Sequence, residues 1–244
     1  MRENKGKILK IAKYYVNITV EGCVDNPSSM ATDVLNKKRM KKMAHNKTTG
    51  VQQNNLSLFK TLDGKTSDDL VTMFELDKMI PVKLDNLFNY CGINVLPTDF
   101  KTYEEIPEIS EMLNKKGLIL GAVAVKDNKI NILYKKGVSE HRQRFTVAHE
   151  LAHCCLDAEE LAVNGRVDFR LDIEGATEET TEGEYAANVF AGELLIPTKT
   201  LNLLYEVVKT PKLNILSQMF DVSENVMRAR LKYLNFPFVE TTSD

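Results

Sequence analysis

The chain holds four histidines, and two of them stand four apart in "RFTVAHELAHCCLD", residues 144 to 157. At positions i and i+4 of a helix, His149 and His153 project from one face, about one turn apart. Two imidazoles so placed take two corners of a tetrahedral zinc site. Glu150 follows the first histidine and points to a neighbouring sector, from which its carboxylate reaches a metal-bound water without binding the metal. Zinc lowers the pKa of such a water toward ~7, and Glu150 would take its proton and pass it to a leaving amine. With 4 His and 20 Glu in the chain, H-E-x-x-H has a chance expectation of about 0.005. The competing reading is two histidines hydrogen-bonded inside a helix bundle.

A hydrolytic site needs a third protein ligand and an open fourth position. No histidine follows His153, so the third ligand is Asp, Glu or Cys. Cys154 and Cys155, adjacent on the helix, cannot turn toward the same ion. Downstream, "EYAAN" sets Glu184 and Asn188 at i and i+4 of another helix. There Glu184 would bind the metal, and Asn188 would accept the free N–H of a ligand histidine. Glu182 is a rival for the same role. Tyr134, His141, Arg144 and Tyr185 are candidates for stabilising an oxyanion or touching substrate, and the sequence does not choose among them. For His141 and Arg144, helix-start and packing contacts are the favoured alternative.

The elements that must position these residues are legible in outline. "SDDLVTMFELDKMI" reads as a helix with Ser67 as N-cap and Pro81 just past its end. "VKLDNLFNYCG" is a second helix stopped by Gly92, and "INVLP" a short strand. Residues 118 to 125 and 130 to 134 form a hairpin, with Lys126 to Lys129 supplying the turn. The strand at 130 to 135 is a candidate edge for pairing with an extended substrate. A helix beginning near Ser139 carries the histidines, and its apolar residues imply burial on much of its surface. Residues 157 to 183 read as a polar, acidic connection, a length that is usually functional or mobile. "EYAANVFAGELLIP" follows as a helix ending before Pro197. Helices at 212 to 220 and 224 to 234 close the chain, the last capped by Ser223.

The 244 residues allow one good-sized core and a small appendage. Hydrophobic content of 43% and charged content of 27% fit a soluble globular protein. No apolar run approaches ~20 residues, and the N-terminus lacks the continuous apolar segment of a secretory signal. Four cysteines with no obvious pairing favour a reducing, cytoplasmic setting. Residues 1 to 65 carry 13 Lys/Arg against 5 Asp/Glu, and the remainder 19 against 29. That asymmetry marks either a nucleic-acid-binding arm or, as favoured here, a solvated and partly disordered basic extension. "VQQNNLSLFKTLDGKTSDD" reads as a linker at its end.

Two separated blocks, "RQRFTVAHELAH" at 142 to 153 and "EYAANVFAGELLIP" at 184 to 197, resemble the ImmA/IrrE family of zinc metallo-endopeptidases. "IPVKLDNLFNYCGINV", "ILGAVAVKDNKINILYKKG" and "LSQMFDVSENVMRARLKYL" fit the same pattern in the same order, so the likeness spans roughly residues 67 to 235. It implies an α+β, zincin-like metallopeptidase core with a small sheet and hairpin, an active-site helix and a C-terminal helical hairpin. It also implies a gluzincin-like site for one Zn2+ ion. Its ligands would be His149, His153 and Glu184, which decides Glu184 over Glu182, with Glu150 as general base. One departure is Ala186, where the family often has an acidic residue. The implied partner is a protein substrate, a helix-turn-helix repressor of a prophage or mobile element, cleaved in the cytoplasm to alter transcription. The domain boundaries that follow are a basic extension at 1–65, a peptidase core at 66–198 and a helical segment at 199–244.

The C-terminal pair also has the short "DVS" turn of a helix-turn-helix, with Arg228, Arg230 and Lys232 on its second helix. On that alternative the protein is a DNA-binding or repressor-binding regulator whose zinc is structural or sensory. Arg228 and Arg230, two apart, do not share a helical face, and packing on the core is favoured over DNA contact.

Overall fold

A computed structural model of the chain describes residues 56–100, 118–126, 128–164, 168–172 and 182–240. The basic stretch at 36 to 47 and most of the acidic run before Glu182 lie outside them.

The fold is α+β. Helix α1, Ser67–Met73, starts at Thr66 rather than at Ser67. Thr66 accepts from the Asp69 backbone N–H while the Asp69 carboxylate accepts from the Thr66 N–H, a reciprocal capping box. Ser67 is instead buried, and its hydroxyl donates to Glu193. The helix is shorter than its apolar pattern implies. Glu75 turns left-handed, and a single 3-10 turn, Leu76–Lys78, precedes Pro81. Helix α2, Asp85–Cys91, ends at Gly92, whose φ of 66° is the left-handed stop that glycine adopts without strain.

Strands β1 (Ile93–Thr98), β2 (Leu118–Lys126), β3 (Lys129–Lys135) and β4 (Asp168–Asp172) form one sheet in the order β1-β3-β2-β4. The β2–β3 pair is the antiparallel hairpin read from sequence, with Asn128 at positive φ in its turn. β1 lies parallel to β3, pairing Ile93 with Ile130 and Val95 with Ile132. β3 is therefore an interior strand, and the expectation that it offers a free edge to substrate is corrected. Its Ile130, Ile132 and Leu133 are buried, and both its backbone edges are used. β4 pairs antiparallel with the other side of β2, with a register irregularity between Ile119 and Gly121.

Helix α3, Glu140–Leu156, lies against β2 and β3, and every residue from Thr146 to Cys155 is buried. α4 (Ala158–Asn164) and β4 follow, so the stretch from 157 is not simply a polar connection. Ala158, Leu161 and Ala162 recur at helical spacing and reach the core through an otherwise acidic run. α5, Glu182–Leu195, packs along α3. α6 (Thr198–Tyr205), α7 (Leu213–Phe220) and α8 (Glu224–Leu234) complete the chain, with Ser223 capping α8 through the Val226 N–H.

One apolar cluster joins all of this. It includes Leu213, Leu216, Phe220, Met227 and Leu231 from the C-terminal hairpin, so the hairpin packs on the core. It also includes Phe59 and Leu62, and the Gly64 N–H donates to the Cys155 carbonyl. Residues 56 to 64 thus belong to the packed unit and are not linker. Both arginines of α8 are engaged within the protein, Arg228 in a bidentate pair with Glu240 and Arg230 at 4% exposed, while Lys232 is exposed. Among the described residues, no helix is long and apolar enough to cross a membrane.

Candidate metal centre

α3 and α5 cross with His149, His153 and Glu184 at their contact. The two Nε2 atoms are 3.1 Å apart. Glu184 Oε2 is 3.2 Å from His149 Nε2, and its Oε1 is 3.3 Å from His153 Nε2. One ligand atom from each of the three side chains lies within 4.8 Å of the others, so the group can hold a metal ion. Both imidazoles are buried.

The far sides of the rings are held as well. His149 Nδ1 lies 3.1 Å from Asn188 Oδ1, and His153 Nδ1 lies 2.8 Å from Asp157 Oδ2. Both partners are oxygen acceptors, so each ring keeps its proton on Nδ1 and turns its Nε2 lone pair to the shared point. Asp157 is a residue that the sequence reading passed over. The signal was present: it stands four after His153, on the same face, at the C-cap of α3.

Glu150 is 1% exposed and faces β2. A Cβ at Gly121 would stand 2.4 Å from Glu150 Oε1 and 2.4 Å from Thr146 Cγ2. Only glycine lets the helix bring this carboxylate so close to the strand. Gly121 was also passed over, although a lone glycine inside an apolar strand is a mark of close backbone approach.

Of the other candidates, Tyr134 is the cross-strand partner of Gly121, so its side chain leaves the sheet on the face that Glu150 occupies. Tyr185 is 44% exposed beside Glu184. His141 and Arg144 go elsewhere. His141 Nε2 meets Asp221 at 3.2 Å, and Arg144 donates to the Val82 carbonyl at 2.6 Å while also lying near Asp221. These contacts tie the start of α3 to the C-terminal hairpin. Glu182 is at the exposed first turn of α5 and is not part of the ligand group. Cys154 and Cys155 are buried free thiols whose pKa is pushed up by burial.

Residues 115–232 match the family model for the IrrE N-terminal-like domain, Peptidase_M78. The match covers just under half of the chain, and the likeness of this segment is to that peptidase family. The matched residues contain both histidines of the motif, Glu150 and Glu184, together with the C-terminal hairpin. No curated protein and no solved structure matches the chain. The matched segment thus carries a His-His-Glu group able to hold a metal ion.

Proposed function

We propose that the chain is a zinc-dependent endopeptidase, with His149, His153 and Glu184 as ligands and Glu150 as general base. The observation that carries this is the meeting of two imidazole Nε2 atoms and a carboxylate close enough to share one ion, each imidazole backed by an acceptor oxygen. Bound at that point, zinc supplies Lewis acidity toward a peptide carbonyl and toward an attacking water. Asn188 and Asp157 hold the protons at Nδ1, so His149 and His153 stay neutral and oriented. Glu150 takes a proton from the attacking water onto its carboxylate and delivers it to the departing amine nitrogen. Burial of α3 behind these groups keeps bulk water out of that transfer. Tyr134, on the same face of the sheet as Gly121, is the side chain best placed to meet the developing oxyanion, and the exposed Tyr185 meets substrate.

The substrate we propose is a helix-turn-helix transcriptional repressor of a prophage or mobile element, cut in the cytoplasm so that the genes it silences are expressed. Support comes from the resemblance of the two motif blocks to the ImmA/IrrE family. The test is co-expression with the repressor encoded beside this gene, for wild type and Glu150→Gln. Wild type should yield cleaved repressor and Glu150→Gln intact repressor. An intact repressor beside metal-loaded wild type counts against this substrate. Equal relief of repression by both variants means capture without proteolysis.

A further inference from the structure

Alongside the centre, α5 and α8 leave a cavity of about 650 Å3 between them. Its α5 wall is Tyr185, Asn188, Val189 and Gly192, the i, i+3, i+4, i+7 stripe of that helix. Val226, Ala229 and Tyr233 of α8 face it. Small residues keep the helices from closing: a Cβ built on Gly192 meets no atom within 4 Å, and Ala229 adds only a methyl. Seven residues of helix rise about 10 Å, the length of three residues of extended chain at about 3.3 Å each.

The walls define the occupant. Phe145, Tyr185 and Tyr233 contribute rings, and Val189 and Val226 aliphatic surface. The charged lining residues are both cations, Arg230 and Lys232. Arg230 is spoken for by Glu193, Thr198 and the Ile196 carbonyl. A basic side chain finds no carboxylate in this lining, whereas an apolar one gains burial. The cavity also adjoins the centre. Asn188 is at once part of its wall and the partner of His149, and Tyr185 directly follows Glu184.

Resting on the hydrolytic reading of that centre, we infer that this cavity is the specificity site for the substrate chain. It takes two or three consecutive apolar residues in extended conformation, on one side of the bond that is cut.

The test uses the full chain carrying Glu150→Gln, loaded with zinc and titrated calorimetrically with acetyl-Leu-Phe-Leu-amide and acetyl-Ser-Gln-Ser-amide. Gly192→Phe puts a ring into the open space, Tyr185→Ser removes the exposed ring, and Gly192→Ala adds a single methyl as a control. The apolar peptide should bind roughly tenfold or more tighter than the polar one. Gly192→Phe and Tyr185→Ser should each weaken it by roughly tenfold, and Gly192→Ala by less than about threefold, with zinc content and melting temperature held. Equal binding of the two peptides overturns the inference, as does unchanged binding in both Gly192→Phe and Tyr185→Ser. So does a dimer that Gly192→Phe abolishes in a protein that binds neither peptide, because the occupant is then a second copy. Digestion of denatured casein by zinc-loaded wild type, with the cut sites read by mass spectrometry, separates the two levels. Cuts with no apolar enrichment on either side sink the cavity's role and leave hydrolysis standing. Absence of any cut in casein and in the co-expressed repressor, with zinc bound, sinks the hydrolytic reading and the specificity role together.

Discussion

Gly121→Ala is the sharpest perturbation this structure offers. The new methyl carbon would stand 2.4 Å from Glu150 Oε1, where ordinary van der Waals contact begins near 3.4 Å. The carboxylate or the strand must therefore yield by about 1 Å, and a misplacement of that size costs on the order of 10²-fold in rate. That corresponds to about 2.7 kcal/mol of lost transition-state stabilisation. If Glu150 is the proposed general base and not a metal ligand, the loss should fall on kcat, with KM and zinc content little changed. The assay is steady-state cleavage of a protein substrate, with zinc by mass spectrometry and a thermal melt on the same sample. The same methyl also meets Thr146 Cγ2 at 2.4 Å, so part of any instability belongs to Thr146. Thr146→Ser removes that carbon. Combined with Gly121→Ala, it should restore melting temperature but not turnover, because the approach to Oε1 remains. A Gly121→Ala protein that turns over at the wild-type rate would refute the reasoning. So would one whose activity returns in full with Thr146→Ser.

Asp157→Ala and Asn188→Ala should each weaken zinc binding by roughly 10- to 100-fold, measured by competition with a chromophoric chelator; unchanged affinity in both would mean that the Nδ1 contacts do not orient the ligands. Glu150→Gln should keep its zinc while losing roughly 10²- to 10⁴-fold in kcat, whereas Glu184→Ala should lose zinc and activity together, in metal analysis beside the rate assay. Chelation should abolish activity and stoichiometric zinc restore it; activity that survives complete removal of metal refutes the proposed chemistry. In urea unfolding, Arg230→Ala should cost roughly 3 kcal/mol, because it leaves Glu193 without its buried guanidinium partner, whereas Arg228→Ala on the surface should leave the midpoint close to wild type.

What could be read in the sequence was what depends on local spacing. His149 with His153, and Glu184 with Asn188, are i, i+4 pairs whose common face follows from helix geometry alone. The hairpin, the stop at Gly92 and the start at Ser223 are local for the same reason. Asp157 belonged to that class too but was hidden by the attention its neighbours Cys154 and Cys155 attract. The rest depended on contacts far apart in the chain. The parallel pairing of β1 with β3 joins Ile93 to Ile130 with no sequence signal of its own, and it turned an expected edge strand into an interior one. Phe59 and Leu62 sit in polar surroundings in sequence, and only the core they enter marks them as structural. Gly121 could be recognised as special, but not as the neighbour of Glu150, until the strand and the helix were placed together.

The burial of α3 from Thr146 to Cys155 carries a consequence for inactivation. The turns that present the ligands are the same turns that fill the core, so local fraying cannot dissolve the centre while the remainder of the domain stays folded. Heat should therefore abolish the metal site and the fold at one temperature, and chelation should loosen the very helix on which the domain is built.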